Sequence, residues 1–407
     1  MTTLQLDRAA PAHVLRRRPV CRLLSAALIA VSVLAAFLQL GMFVAAPPEA
    51  ALVFLSALVM STVLSAFPVL VLWHLERRER ASAWFFVAAL LWGGLIATAI
   101  AIPVNSVFFQ MVDAWATRQP LVEHVLGPDA AQMLSAPISA PIAEELAKAI
   151  GIVLIFSMLR GEFNSVRDGI VYGALVGIGF NWYETALYVA QEYAKSGHAP
   201  YGLQLGGRFA LLGFGGHTIF SGIFGGFLGY ALVEPRWLLR IAAPVVGLLL
   251  AIGAHMLNNA LPLIVTLAGA AAGVPAGELE PMPDIGFIQA FIGSSVREVI
   301  IFLPFVAIAA LVLWRSDVWE RRVIREELSA EVGGAVSAGE YRDIAHDAPL
   351  RTGRVDRLPA ETASDLVEAQ NELAFRKRWV RDHGADPERD PVVEEWRRRI
   401  QGLRAGV

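Results

Sequence analysis

The chain has 407 residues, of which 56% are hydrophobic and 17% are charged, whereas an average soluble domain is about 25% charged. About half of the charged side chains lie from Arg315 onward, so the first three quarters of the chain are poorer still in charge. The single cysteine, Cys21, excludes an intrachain disulfide and a metal site built from several cysteines.

About eight apolar runs follow a basic arm at residues 1–22. Each run reaches the ~20 residues that span the hydrocarbon core of a bilayer. The first is too long for the apolar region of a signal peptide, so we expect it to stay attached. The runs are Leu23–Ala46, Ala51–Trp73, Ala83–Phe109, Ser135–Leu159, Gly169–Ala190, Phe209–Val233, Trp237–Leu267 and Phe287–Trp314. They predict an all-α fold, a polytopic bundle of about eight transmembrane helices over residues 23–314.

Basic residues occur in every second connection between these runs. They are Arg77, Arg78, Arg80, Arg160, Arg167, Arg236, Arg240, Arg315, Arg321 and Arg322. The positive-inside rule then puts both termini in the cytoplasm. We expect a multi-pass protein of the plasma (inner) membrane, with residues 315–407 as a small, charged, helical cytosolic tail.

Two further segments carry structural expectations. The stretch Asn105–Leu134 mixes aromatic and polar residues, which favours an amphipathic helix on the outer interface over an ordinary loop. In the fifth and sixth runs, three pairs of glycines are spaced four residues apart and allow helix backbones to approach closely. These pairs are Gly173 and Gly177, Gly222 and Gly226, and Gly225 and Gly229. We therefore expect these two helices at the centre of the bundle.

Ionisable side chains inside the runs are few, and a charge at membrane depth costs about 2.5–3.5 kcal/mol on insertion scales. The notable ones are Glu144, Glu145, Lys148, Glu184, His217, His255, Arg297 and Glu298. Such residues usually face a bundle interior or a wet cavity. Lys148 lies three and four residues after the two adjacent glutamates, so all three lie near one helix face.

Four of these residues fall at one predicted depth. Counting along runs of alternating direction places Glu144, Glu184, His217 and His255 on the order of 10–17 Å below the outer face. Asn259 lies one turn after His255 and on the same face. A common depth on four helices predicts one polar cavity within residues 135–266, the expected catalytic core.

The residue types in this cavity suit hydrolysis. A buried carboxyl group holds a proton readily, which suits a general base. Histidine can donate a hydrogen bond to a developing oxyanion or bind a metal, and Asn259 adds an amide donor. Together these groups could activate water and stabilise a tetrahedral intermediate, which predicts peptide-bond hydrolysis.

The order of the motifs resembles a known family. Glu144-Glu145-x-x-Lys148 is followed by Asp168-Gly169 running to Glu184, then by His217 in a glycine-rich helix and by His255-x-x-x-Asn259. This series over about residues 135–261 is similar to the PrsW family of intramembrane proteases, which is related to the CAAX prenyl endopeptidases.

The resemblance implies an intramembrane endopeptidase, of glutamic or metallo type, that cleaves membrane-anchored proteins such as anti-sigma factors. Glu144 and Glu145 would activate water, with Asn259 and Glu184 as further site members and Lys148 in support. His217 and His255 would stabilise the oxyanion or bind a metal. One divalent ion such as zinc is a possible cofactor, with Glu145, Glu184, His217 and His255 as candidate ligands. No nucleic acid is expected as a partner.

Two other functions fit part of this pattern. Carboxylates and histidines on neighbouring helices also bind cations in divalent-cation or proton-coupled transporters. Against transport, Lys148 lies one turn from the glutamates and the polar residues cluster at one depth. A non-catalytic membrane scaffold that kept the fold is the second alternative. Structural readings also stay open for Glu184, as a hydrogen-bond acceptor, and for Arg297 and Glu298, as an ion pair at the outer end of their helix.

Overall fold

A computed structural model gives the fold of residues 19–41, 47–76, 83–127, 129–158, 165–234, 236–274, 285–346 and 360–405. Most of the basic arm and the arginines at positions 77, 78, 80 and 160, which contributed to the predicted orientation, lie outside these residues. The described residues are helical, and their one β-bridge joins Val332 and Val336. The predicted all-α fold is confirmed to this extent.

Fifteen α-helices make up the described fold. They are α1 (Pro19–Leu40), α2 (Pro48–Leu75), α3 (Ala83–Leu91), α4 (Thr98–Ala116), α5 (Pro120–Leu126), α6 (Ala130–Ser135), α7 (Ser139–Met158), α8 (Val166–Ser196), α9 (Tyr201–Arg208), α10 (His217–Val233), α11 (Trp237–Ala271), α12 (Phe287–Ser329), α13 (Ala338–Ala345), α14 (Ala360–Asp382) and α15 (Pro391–Ala405). A π-helical turn over Trp92–Ala97 joins α3 to α4 without a break.

Five helical segments among the described residues have the length and apolar composition to cross a membrane. They are Pro48–Leu75, Ala83–Ala116, Ala210–Leu232, Trp237–Ala271 and Phe287–Ser329. The first predicted run contains a shorter apolar helix, Ala26–Gln39. Helices α7 and α8 occupy two other predicted runs, but they carry the polar and glycine residues that lower mean hydropathy. Eight transmembrane helices therefore remain a prediction.

Helix α8 lies at the centre of the bundle, where residues 169–190 are almost all buried. It packs closely on α10, with direct contact between the two backbones. A Cβ atom added to Gly225 would lie 2.0 Å from the carbonyl oxygen of Gly169, and one added to Gly177 would lie 2.2 Å from that of His217. Glycine at these positions lets the two backbones touch. Gly222 differs, since its Cβ would meet nothing closer than 3.9 Å.

The predicted interfacial segment Asn105–Leu134 is neither one amphipathic helix nor a loop. Its first part continues the third membrane helix as far as Ala116, which keeps Asn105 within the bundle. The remainder forms the short helices α5 and α6, which pack with the end of α4 and with Leu263 of α11. Gln119 and Gly127 bound α5, and the positive φ of 70° at Gly127 ends it.

The predicted sixth helix does not begin near Phe209. Residues 209–216 form an irregular turn, and α10 begins at His217. Leu211 and Leu212 have φ values of 53° and 58°, which are strained for side chains of that size. Side chains of the bundle form hydrogen bonds with backbone groups of this turn that have no helical partner. For example, Leu211 N donates to Ser295 Oγ at 2.9 Å. Non-helical backbone at membrane depth is tolerated where it is buried in protein in this way.

The tail has an apolar core of its own, which includes Ile324, Leu328, Leu373, Trp396 and Ile400. Helix α12 runs without interruption from Phe287 to Ser329, so the predicted boundary at residue 315 falls inside a helix. The tail is therefore joined to the bundle by continuous helix rather than by a linker.

Candidate active site

Four helices bring the sequence-predicted site residues together. Helix α7 carries Glu144, Glu145 and Lys148, α8 carries Glu184, α10 begins with His217, and α11 carries His255 and Asn259. All are buried except Asn259, which is half-buried. Each contacts at least one other member of the group, so these seven side chains form a single cluster.

Lys148 lies at the centre of the cluster and is fully buried. Its Nζ atom lies 2.7 Å from Glu145 Oε1 and 2.7 Å from His217 Nδ1. It also lies 3.9 Å from the centre of the Phe180 ring, a cation–π distance. An ammonium group donates only, so His217 Nδ1 must accept. Lys148 therefore fixes both a carboxylate and an imidazole.

His255 is oriented by hydrogen bonds at both ring nitrogens. Its Nδ1 lies 3.0 Å from Glu145 Oε1, and its Nε2 lies 3.1 Å from Asn259 Nδ2. Because the amide nitrogen donates, His255 Nε2 accepts and Nδ1 carries the proton. Asn259 Nδ2 also donates to the carbonyl of Ala136, at 3.1 Å, in the turn before α7. In metal-binding histidines, one ring nitrogen typically donates its hydrogen to a carboxylate, and the other nitrogen binds the metal through its lone pair.

His217 has the opposite proton arrangement. Since its Nδ1 accepts from Lys148, its Nε2 carries the proton and donates to Glu184 Oε2 at 2.9 Å. Glu184 is also ion-paired with Arg208 at the end of α9, and that guanidinium group lies 4.4 Å from the ring centre of Tyr188. Glu184 is therefore held by one cation and by one imidazole.

Glu144 is the carboxylate with an unused oxygen. Its Oε1 accepts from Asn105 Nδ2 at 3.2 Å. Its Oε2 is buried and has no hydrogen-bond partner. Its neighbours are Lys148 Nζ at 3.8 Å, His217 Nε2 at 3.9 Å and His255 Nε2 at 4.0 Å. A buried acceptor without a hydrogen bond lowers the stability of the fold, unless a ligand or an ion interacts with it.

Glu144, His217 and His255 could hold a metal ion, once His217 Nε2 gives up the proton that it donates to Glu184 and His255 Nε2 gives up its hydrogen bond from Asn259. One ligand atom from each lies within 4.8 Å of the others, and all three residues are buried. Two imidazole nitrogens and one carboxylate oxygen form a common ligand set of catalytic zinc. The sequence had placed Glu145 and Glu184 beside the two histidines as candidate ligands. In the structure both carboxylates are held by protein groups, and Glu144 joins the histidines instead.

Several residues of the site were not expected from the sequence. Asn105 and Ser139 lie beside Glu144, and Arg208 pairs with Glu184. Asn105 offered a signal, as an amide inside an apolar run that continues as helix. Arg208 lies just before the sixth run, and its position in the sequence gave no signal of a role in the site.

Arg297 and Glu298 form the expected ion pair, and Glu298 also contacts the backbone before α10. The two side chains contact each other at 3.2 Å, but Glu298 is buried and its Oε2 accepts from the backbone N–H of Gly216 at 3.3 Å. Gly216 immediately precedes His217 and has φ of 53°. Glu298 therefore holds the turn that sets the start of α10.

Comparison with known proteins identifies the family of the chain. The profile of the PrsW family intramembrane metalloproteases matches residues 81–292, just over half of the chain, and spans every residue of the cluster. Searches of curated proteins and of solved structures give no match. The resemblance expected from the motif order is confirmed, and with it a membrane protein that acts as an intramembrane protease. The chain belongs to the PrsW family of intramembrane metalloproteases.

Proposed function

We propose that this protease is metal-dependent and hydrolyses a peptide bond of membrane-anchored proteins, of which anti-sigma factors are one example. The observation that carries the proposal is Oε2 of Glu144, which accepts no hydrogen bond and is buried within 4.0 Å of Nε2 of both His217 and His255, with Lys148 Nζ at 3.8 Å. A buried carboxylate with only a structural role would normally accept hydrogen bonds at both oxygens.

Glu144, His217 and His255 would hold the divalent ion, for which zinc is the best fit to the ligand set. Such an ion supplies Lewis-acid activation of water and of the scissile carbonyl. The protein excludes bulk water from this cavity, which strengthens every electrostatic contact inside it.

The remaining residues have separate proposed roles. Glu144 would activate the attacking water through the ion that it holds, since Asn105 and the ion would occupy its two oxygens. Glu145 and Lys148 keep His255 and His217 in fixed orientations. Once His255 Nε2 holds the ion, the amide hydrogen that it now accepts from Asn259 would be free to point toward the oxyanion on the scissile carbonyl.

We further propose that the protein lies in the plasma (inner) membrane with both termini in the cytoplasm. The arginine-rich connections support this orientation. The cluster would then lie nearer the outer face, and cleavage would occur in the outer half of the bilayer.

The test uses full-length protein reconstituted in vesicles with single-span substrates tagged at both ends, and mass spectrometry of the products. We expect cleavage by wild type, and a rate about 10²–10⁴-fold lower in Glu144→Gln. His255→Ala should also lose activity, whereas Leu257→Ala, an exposed position on the same helix, should not. Cleavage that persists in Glu144→Gln would contradict the proposal.

The same vesicles separate the alternatives. Uptake of divalent cations without hydrolysis of any substrate would favour a transporter. Neither transport nor cleavage, with the fold intact, would favour a scaffold.

A further inference from the structure

Helix α4 contributes a side chain to a site whose other residues lie mainly on α7, α8, α10 and α11. Asn105 lies near the middle of α4 and is half-buried. Its Nδ2 donates to Glu144 Oε1 at 3.2 Å, and its Oδ1 accepts from Ser139 Oγ at 2.8 Å. Ser139 is buried at the first position of α7, about one turn before Glu144.

The two contacts determine each other. An ionised carboxylate only accepts, so Glu144 must meet the amide nitrogen of Asn105, and the hydroxyl of Ser139 then donates to the amide oxygen. The amide nitrogen is thereby turned toward Glu144 and occupies Oε1. An amide has no negative charge to repel the carboxylate, as an aspartate at this position would.

The hydrogen bond from Asn105 fixes the orientation of the Glu144 carboxylate. With Oε1 held by α4, the other oxygen points at the two histidines and is left without a protein hydrogen bond. A carboxylate free to rotate about its terminal torsion would spread over a broad, two-fold range of orientations. One hydrogen bond from outside the ligand group therefore selects the orientation in which Oε2 can serve as a ligand.

We propose that Asn105, oriented by Ser139, is a positioning residue that presents Glu144 to the reacting centre. The inference rests on the proposed function, and it extends the site to the third membrane helix. Asn105 does not touch the reacting atoms in this assignment. It acts through Glu144 alone.

The test is a Co²⁺ titration of the full-length protein, followed by visible absorption, together with steady-state cleavage. Asn105→Leu preserves size but removes both hydrogen bonds. We expect its Co²⁺ affinity to fall by about 10–100-fold, the usual effect of losing a partner of a metal ligand. We expect kcat to fall with it while KM stays near the wild-type value, because Glu144 does not hold the bulk of the substrate.

One variant tests the amide donor of Asn105, and a second serves as its control. Asn105→Asp keeps the shape and the acceptor for Ser139 but puts a carboxylate beside Glu144, so it should be as impaired as Asn105→Leu. The matched control is Ser106→Leu, the neighbouring exposed residue of the same helix, which should behave as wild type.

A double-mutant cycle tests the link to Ser139. Ser139→Ala alone should weaken Co²⁺ binding less than Asn105→Leu. If Ser139 acts only by orienting Asn105, the double variant should be no worse than Asn105→Leu. Additive losses would overturn that part of the proposal.

The outcomes distinguish this inference from the function on which it rests. A wild type that cleaves, with Asn105→Leu equal to it in Co²⁺ affinity and in kcat, would overturn the role of Asn105 and leave the protease intact. A wild type that neither cleaves nor binds Co²⁺ would overturn both. If wild type cleaves but binds no Co²⁺, an unchanged kcat in Asn105→Leu refutes the positioning role and a lowered kcat supports it.

Discussion

Lys148 illustrates how single residues of this site combine structural and chemical tasks. Its ammonium group touches Glu145 and His217, and both contacts are buried. The sequence predicted the cluster from residue types and common depth, but it could not assign the two glutamates. They are adjacent, and only the contacts show that Glu145 accepts hydrogen bonds from Lys148 and His255, while one oxygen of Glu144 accepts none.

Replacing Lys148 with methionine should destabilise the protein. Glu145 would lose its cation and His217 Nδ1 its donor, and breaking a buried pair in this way costs roughly 3–5 kcal/mol. Thermal unfolding in detergent measures the loss. Lys148→Arg keeps the charge and should recover part of the stability. A Lys148→Met variant as stable as wild type would show that the lysine does not support the site.

The amide of Asn259 gives a second prediction for a single residue. Removing one donor to an oxyanion typically costs about 10²–10³-fold in kcat. Asn259→Ala should show a loss of this size, with KM little changed. The neighbouring Asn258 is the control, since Asn258→Ala removes an amide that contacts only Asn259 in the described contacts. Equal losses in both variants would argue against a specific role for Asn259.

At the level of the helices, the glycine spacing predicted the contact between α8 and α10, and the structure has it at Gly169 and Gly225. The start of α10 was not predicted. An apolar composition through Phe209–Val233 reads as one helix, whereas the fold interrupts it at Gly213–Gly216 and places His217 at a helix start. Local sequence could not reveal that Ser295 and Glu298, some 80 residues away, satisfy this turn.

The α8–α10 contact should not tolerate a methyl group. In Gly225→Ala the new Cβ would lie 2.0 Å from a backbone oxygen of Gly169, so the helices must separate. We expect a lower unfolding temperature together with loss of activity, because the separation moves His217 away from Glu184. Gly253→Ala is the control, since nothing lies within 4 Å of its Cβ and alanine is favoured over glycine in a helix by about 0.5–1 kcal/mol. If both variants behave alike, close backbone contact is not what holds these helices.

For the whole molecule, α12 connects the membrane bundle with the tail. One end of this helix holds the turn before His217 through Ser295 and Glu298, and the other packs in the tail core. The tail was predicted as helical from its charge and its breaks at glycine and proline. Its long-range ion pairs were not predictable, such as those of Glu331 with Lys377 and Arg397, which lie 46 and 66 positions away.

These ion pairs make the tail sensitive to acid. Burial raises the pKa of Glu331, but hydrogen bonds from Arg397 and Lys377 outweigh it and leave that pKa below its usual 4.5. The hydrogen bond from Arg397 likewise lowers the pKa of Glu388. A carboxyl group with a lowered pKa stabilises the fold above pH 4.5 and loses that contribution as the pH falls through the folded value.

Hydrogen exchange in the full-length protein, corrected for the intrinsic rates, measures this effect. Protection of α15 should be constant from pH 7 to about pH 5 and fall below about pH 4.5. Arg397→Met should have lower protection at pH 7 and a smaller change on acidification. A tail equally protected at pH 7 and pH 3.5 would contradict the assignment.

The central claim is that Glu144, His217 and His255 act as one metal centre, and the metal content of the purified full-length protein tests it most directly. Mass spectrometry of the metals bound after exhaustive dialysis should find about one divalent ion per wild-type chain, the stoichiometry of a single three-ligand site. It should find almost none in Glu144→Gln, His217→Ala or His255→Ala, with each variant still folded. Equal metal content in the wild type and in all three variants would contradict the account.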